Sequence, residues 1–597
     1  MQIRIEDYAI IGNCETAALV GRNGSIDWLC WPRFDSEACF TALLDSSECG
    51  RWLVAPTAPD AKVMRRYRPD TLVLETQFVT DTGAATVIDF MPMRGEHRHL
   101  IRLVKGDRGC ISFATELVIR FGYGAIVPWV TRMEDHSLRA IAGPDKLVLR
   151  TPVNLRGENF KTRGEFTIEE AQTVAFVLSY VRSHLPDPPA IEPTEALRET
   201  EQYWHEWASK ARLSGPWVEA QKRSLITLKA LTYAPTGGLV AAVTTSLPEQ
   251  LRGSRNWDYR FCWLRDATFT LLALMNSGFH DEAGAWRDWL LRAAAGRPEQ
   301  MQIMYGVAGE RRLTEIELPW LAGYERSRPV RIGNDAHRQL QLDIYGELTD
   351  TLHQARMGGI ALEESGWALQ LAVLSHLEKH WREPDHGIWE VRNKPQHFTY
   401  SKVMAWVAFD RAIKSARRFG LAGPVDRWCK LREEIHAEIC SRAFNAELGS
   451  FVSSYGSKEV DASLLLVPAV GFLPPIDSRI CGTIALIERE LMRNGLVRRY
   501  DTEHIEDGLP AGEGYFLACS FWLVDAYVLL GRYDDAKRLF DHLLTLRNDV
   551  GLLSEEYDPV SDRFLGNFPQ AFSHLALVNS AANISRLQKP AEQRSAS

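Results

Sequence analysis

The sequence predicts two domains, an N-terminal antiparallel β-sandwich followed by an (α/α)6 toroid. Three observations predict this. The first third of the 597 residues is made of short runs rich in β-branched and aromatic residues, separated by turns. Four prolines, Pro186, Pro188, Pro189 and Pro193, then interrupt the chain. From Trp217 onward apolar residues recur at helical spacing through about twelve segments. A chain of this length is too long for one core. The expected boundaries are 1–185 for the β-domain, 186–215 for a linker and bridging helix, and 216–590 for the helical domain.

In the β-domain, Arg22-Asn23-Gly24-Ser25 predicts a type I′ hairpin between 17–20 and 26–30. Leu72, Leu74, Thr76 and Phe78 alternate along one face, and Asp81-Thr82-Gly83 turns the chain into 85–90. Further strands are expected at 99–104, 111–120, 138–142, 146–153 and 166–181. Many short strands with turns between them make a sandwich. The domain shows no chemical motif of its own. Thr194 is expected to cap a polar helix reaching about residue 212.

The helical segments are expected at 217–231, 266–278, 281–294, 342–359, 361–381, 399–420, 425–444, 462–473, 477–493, 513–531, 532–547 and 569–587. Trp367, Leu371, Leu374, Leu377 and Trp381 share one helix face, as do Phe516, Cys519, Leu523, Ala526 and Leu530. Short and long connections alternate, and helices joined by short loops are antiparallel neighbours. Six such hairpins closing into a ring put every long loop at one end. Residues hundreds of positions apart could then meet there.

Composition narrows the function. Lys and Arg number 69 and Asp and Glu 77, a net charge of −8 with no long run of one sign. That speaks against a nucleic-acid or anionic-membrane partner. The ten cysteines form no CxxC pair and no ligand spacing with histidine, so no metal site is expected. The start, Met1-Gln2-Ile3-Arg4-Ile5-Glu6-Asp7-Tyr8, has no apolar leader core, no stretch reaches transmembrane length, and a cytoplasmic protein with reduced thiols is expected.

The unusual residues lie in the long loops. The first holds Trp257, Asp258, Trp263, Arg265 and Asp266. An Arg-Asp pair at a helix start either caps the helix or offers a rigid donor and acceptor to sugar hydroxyls, and the flanking indoles favour the sugar. The second, 295–341, carries Arg328 and is expected to wall a pocket. The third holds Trp389-Glu390. A carboxyl pressed against an indole loses water, which lifts its pKa towards the range of a general acid. The fifth holds Glu506-Asp507-Gly508 and Glu513, the latter either a helix N-terminal charge or a sugar contact. The sixth holds Glu555-Glu556 and, after Pro569, His574, expected as a core histidine. Glu390 and Glu555 are expected to face each other across a sugar. Two carboxylates hydrolyse a glycosidic bond with inversion when about 6.5–9.5 Å apart and with retention at about 5–5.5 Å.

Trp263-Leu264-Arg265-Asp266, Gly387-Ile388-Trp389-Glu390 and Ser554-Glu555-Glu556-Tyr557-Asp558, in this order, resemble the glucoamylase-type glycoside hydrolases of family 15. Asn256-Trp257-Asp258-Tyr259-Arg260, Met304-Tyr305-Gly306-Val307, Ser327-Arg328-Pro329-Val330-Arg331-Ile332-Gly333-Asn334, Gln396-His397-Phe398-Thr399 and Gly566-Asn567-Phe568-Pro569-Gln570-Ala571-Phe572 are most similar to its bacterial and mycobacterial trehalase branch. The resemblance implies an inverting exo-α-glucosidase that works without a cofactor. Glu390 then matches the general acid and Glu555 the general base, with Glu556 the competing candidate. Arg265 and Asp266 match the pair that grips the terminal glucose, and Trp263 and Trp389 match pocket aromatics. Val391 stands where fungal-type glucoamylases carry a second acid, and Gly387 where an acid sometimes precedes the catalytic one. The first departure weakens a starch-chain reading and leaves room for trehalose; the second implies a different local tuning of Glu390. Glucoamylase-like release of β-glucose from α-1,4- or α-1,6-linked oligosaccharides is the second reading. Linkage preference, phosphate or divalent-ion dependence and homo-oligomer formation stay open at this stage.

Overall fold

In the computed structural model, residues 2–93, 95–360, 364–505, 507–585, 591–592 and 594 are described. Glu506, and the ends of the helices expected to begin at 361 and finish at 587, lie outside them. The N-terminal domain is two antiparallel sheets sharing the long strand Arg98–Val118. The first half of that strand pairs with Gly83–Phe90 and Thr173–Arg182, and its second half with Arg51–Pro56 and Lys161–Glu169. Phe113 and Phe166 from one sheet meet Phe78 and Phe176 from the other with ring centroids 5.6–6.1 Å apart. This is the sandwich core.

Two strand expectations differ from what forms. The runs expected at 99–104 and 111–120 are one strand, because Lys105-Gly106-Asp107-Arg108-Gly109 stays paired through a bulge opposite Ala84 and Ala85. The run expected at 166–181 is two strands, broken where Ala171 turns left-handed (φ 65°). At the first hairpin only Gly24 is left-handed (φ 81°), where a type I′ turn needs two such residues. The register shift beside Val20 absorbs the difference.

The bridging helix α1 (Pro193–Ala208) is capped by the Glu192 side chain, which accepts from Thr194 N, and Pro193 fills the first turn. The capping residue thus falls two positions before the expected Thr194. Trp207 stacks on Phe279 at 4.1 Å, and Arg68 reaches Glu201, so α1 holds to both domains.

Eleven further α-helices follow among the described residues: α2 (Val218–Ala230), α3 (Ala267–Asn276), α4 (His280–Ala294), α5 (Asp343–Met357), α6 (Glu364–His380), α7 (Thr399–Phe419), α8 (Val425–Arg442), α9 (Ser478–Glu490), α10 (Leu517–Leu529), α11 (Tyr533–Thr545) and α12 (Ala571–Ile584). The segment expected at 462–473 is a 3-10 helix, Ala462–Leu466. Pro468 has no N–H to donate back into the helix, and its ring blocks propagation. Helices α3, α5, α7, this 3-10 helix, α10 and α12 pack in a closed ring. They are buried almost all round, as an inner ring must be. The others lie outside; α11 buries only Ala536, Leu539, Phe540 and Leu543. The result is the six-hairpin toroid.

The β-domain sits against three of the long loops. Trp28 Nε1 donates to Val243 O (2.7 Å), Trp320 Nε1 to Tyr123 O (3.0 Å), and Arg65 pairs with Asp549 (2.6 Å). A domain without chemical residues thereby braces the loops that carry them. No helix among the described residues is long and apolar enough to cross a membrane.

Candidate active site

A pocket opens at the loop end of the toroid. Its lining comes from the first, second, third and fifth long loops; Glu555, on the sixth, is outside the lining but interacts with Tyr259 and Glu249, which belong to it.

Glu390 stands on a tight turn whose backbone is left-handed (φ 58°), an uncommon conformation for a residue with a side chain. Glu390 N donates to Gly387 O (3.1 Å) and Val391 N to His386 O (3.2 Å), while Gln339 Nε2 reaches both Glu390 O and Val391 O. These bonds hold the conformation. Gly387 is itself left-handed (φ 66°), and a Cβ there would lie 2.7 Å from the Phe398 ring. The indole that meets the Glu390 carboxylate is Trp263, not its chain neighbour Trp389. Trp263 Nε1 donates to Oε1 at 2.7 Å and Arg265 Nη1 to the same oxygen at 3.3 Å. The expected apolar wall is therefore a pair of N–H donors. Trp389 lines the pocket and packs on Tyr500, Phe516 and Trp522.

Arg265 Nε donates to Asp266 Oδ1 (3.0 Å). Asp266 occupies the N-cap position of α3, yet its side chain makes no capping bond. The pair is thus a fixed donor-acceptor unit beside Glu390, and the capping explanation is removed. Burial raises the Asp266 pKa, and the Arg265 charge opposes the rise.

Glu555 is fully buried. Its N–H donates to Asn567 O (3.1 Å) and its Oε2 accepts from Asn567 N (2.9 Å). Gly566 makes that approach possible: it is left-handed (φ 69°), and a Cβ there would sit 2.5 Å from Glu555 Oε2. Oε1 has no close hydrogen-bond partner among the described residues, and the Tyr259 hydroxyl faces the carboxyl. Burial pushes the Glu555 pKa up, and the charge of Glu249 adds to it. The Asn567 N–H, Arg499 and Tyr259 pull the other way. His574, one helix turn into α12, is the expected core histidine: Nε2 accepts from Leu553 N (3.2 Å), Nδ1 meets Ser224 Oγ (3.0 Å), and burial lowers its pKa to about 3.

Beside Glu555 lies a group that sequence reasoning missed. Arg499 Nη2 contacts Glu249 Oε2 (2.7 Å), Glu556 Oε1 (3.3 Å) and Glu513. Arg255 bridges Asp507 (2.6 Å) and Glu513 (3.4 Å). Oxygens of Glu249, Glu513 and Glu556 lie within 4.8 Å of one another, a spacing that could hold a cation. The Arg499 guanidinium already supplies that charge. Tyr259, whose pKa burial raises well above the usual phenol range, lies near Glu555, Glu249 and Glu390. It belongs to the Trp257-Asp258-Tyr259 motif, so its place was readable; nothing in sequence marked Glu249, Arg255 or Arg499.

Trp263 and Asp266 are buried just outside the pocket lining, against Glu390 and Arg265, and three further expected sugar contacts are elsewhere. Asp258 is buried in a bidentate pair with Arg260 (2.6 and 2.9 Å) and accepts from Gly333 N, so both oxygens are engaged on the β-domain side. Arg328 is exposed and outside the pocket lining; in its stretch it is Arg331 that comes near, 4.7 Å above the Trp257 ring. Glu513 lies behind the lining and anchors Arg499 and Arg255. Nor does it open a helix, because Tyr515–Phe516 is a strand paired with Glu556–Asp558 and α10 starts only at Leu517.

Two family models match the chain: glycosyl hydrolases family 15 over residues 218–582, and the trehalase-like N-terminal domain over 1–204. A trehalase of Mycobacterium tuberculosis is 39% identical over 98% of this chain and 90% of its own. One from Thermoplasma acidophilum is 35% identical over 95% and 98%. An isomaltose glucohydrolase of Kribbella flavida is 26% identical over 40% of this chain and 61% of its own. A bacterial glucoamylase solved with acarbose superposes with a TM-score of 0.71 at 12% identity, covering 100% of this chain and 97% of its own, which shows the shared fold.

Proposed function

The chain belongs to glycosyl hydrolase family 15, and from that premise we propose that it is an α,α-trehalase acting by inversion. It is a glycoside hydrolase. The observation that carries the substrate is the match to trehalases along nearly the full length of both chains, N-terminal domain included. The pocket supports the chemistry. Glu390, held by Trp263 and Arg265, protonates the glycosidic oxygen. Glu555, with Oε2 fixed by Asn567 and Oε1 without a close hydrogen-bond partner, takes a proton from the attacking water. Arg265, held by Asp266, grips the terminal glucose, with Trp389 as a wall and Trp263 behind it holding Glu390. The water attacks the anomeric carbon as the second glucose leaves with the Glu390 proton, so the sugar that is attacked inverts.

The reading needs no cofactor. Cytoplasmic residence is supported by ten cysteines, all free, and a role in trehalose catabolism follows from the trehalase reading; self-association is expected from the size of the domains. A second reading, glucoamylase-like cleavage of α-1,4- or α-1,6-linked oligosaccharides, is favoured by the partial match to the isomaltose glucohydrolase. Steady-state kinetics on trehalose, maltose and isomaltose, with and without added phosphate and divalent ions, separates them. Trehalose is expected to exceed both others in kcat/KM by about tenfold or more. Preference for maltose or isomaltose would move the substrate to the second reading.

A further inference from the structure

Resting on the trehalase reading, we propose that Arg392 is a specificity-determining residue that holds the leaving glucose. The pocket has a direction. Side-chain exposure rises from 0% at Glu555 and 2% at Glu249, through 11% at Arg265 and 16% at Glu390, to 23% at Arg392. An exo-acting pocket takes the terminal sugar at its closed end, so the leaving sugar lies beyond Glu390, towards the mouth. Arg392 follows Glu390 by two residues and lines that side.

Its guanidinium is fixed before any sugar arrives. It lies 4.5 Å from the centre of the Trp257 ring, which also carries Arg331 at 4.7 Å. Nη2 donates to Asn334 Oδ1 (3.3 Å) and faces Glu315 Oε2 at 3.5 Å. The other Glu315 oxygen pairs with Arg331 (3.2 Å), so one carboxylate pins both cations. The backbone N–H of Arg392 donates to Asp507 O (2.7 Å). Nε and Nη1 have no protein acceptor among the described residues. A rigid planar donor with two N–H directions unspent suits vicinal hydroxyls of a pyranose. Val391 is apolar and buried, so the adjacent position offers the leaving sugar no competing charge.

The test compares trehalose with α-glucosyl fluoride, whose leaving group is a single atom and never occupies the mouth. In Arg392→Met, kcat/KM on trehalose is expected to fall by about 10- to 100-fold, the loss of one or two charged hydrogen bonds, mainly through KM. Hydrolysis of α-glucosyl fluoride is expected to stay within about twofold. Arg392→Lys keeps the charge but loses the planar fork, and is expected to show the same split if the Met variant does not fold. Equal loss on both substrates, or no loss on either, overturns the proposal. A wild-type enzyme that cleaves α-glucosyl fluoride but not trehalose overturns the trehalase reading with it. One that cleaves both, with Arg392→Met unaffected, overturns this inference alone.

Discussion

Glu390→Gln is expected to lower kcat/KM on trehalose by about 10²–10⁴-fold while sparing α-glucosyl fluoride to within about tenfold. Glucose is a poor leaving group and departs only with a proton, whereas fluoride departs unprotonated. Glutamine keeps the shape and can still meet Trp263 and Arg265 but has no proton to give. The split isolates the acid step from folding and from binding of the terminal sugar. Equal losses on the two substrates would show that Glu390 serves the pocket in some other way.

Glu555→Gln is expected to abolish turnover of both substrates, by about 10²–10⁴-fold, because each needs an activated water. The role also fixes the sign of the pH dependence. A general base works ionised, so activity is lost as pH falls through its pKa. Burial and the Glu249 charge both raise that pKa. The acidic limb of kcat/KM should therefore lie above the ordinary glutamate value of about 4.3. Glu249→Gln removes one of the raising charges and leaves Arg499 less neutralised, so the limb should move to lower pH. A shift to higher pH, or full activity in Glu555→Gln, would contradict the assignment. Glu556 would then be the next candidate, although its Oε2 is occupied by Gly514 N (2.9 Å).

Glu390 and Glu555 stand out in the sequence as catalytic candidates because each sits in a short motif with unusual neighbours. The toroid was legible because about twelve helical segments are joined by connections of alternating length. Where reading failed, the cause was tertiary. Glu390 meets an indole 127 positions earlier in the chain, so its neighbour in sequence, Trp389, was the wrong partner to reason from. Asp258 looked free for a sugar until Arg260 claimed both its oxygens. Arg499 is one arginine among many in sequence; only the return of the fifth loop beside 249 and 556 makes it central. Glu513 was expected at a helix start because the apolar pattern runs on unbroken through Tyr515 and Phe516, which form a strand instead. Pro468 alone could have told the 3-10 segment from a full helix.

The measurement that bears most directly on an inverting trehalase is proton NMR of the glucose released from trehalose at early times, before mutarotation. Inversion at one anomeric centre, with the other glucose leaving unchanged, predicts α- and β-glucose in equal amounts from the first points of the reaction. Release of α-glucose alone would mean retention, and with it a covalent step that the proposed roles of Glu390 and Glu555 do not contain.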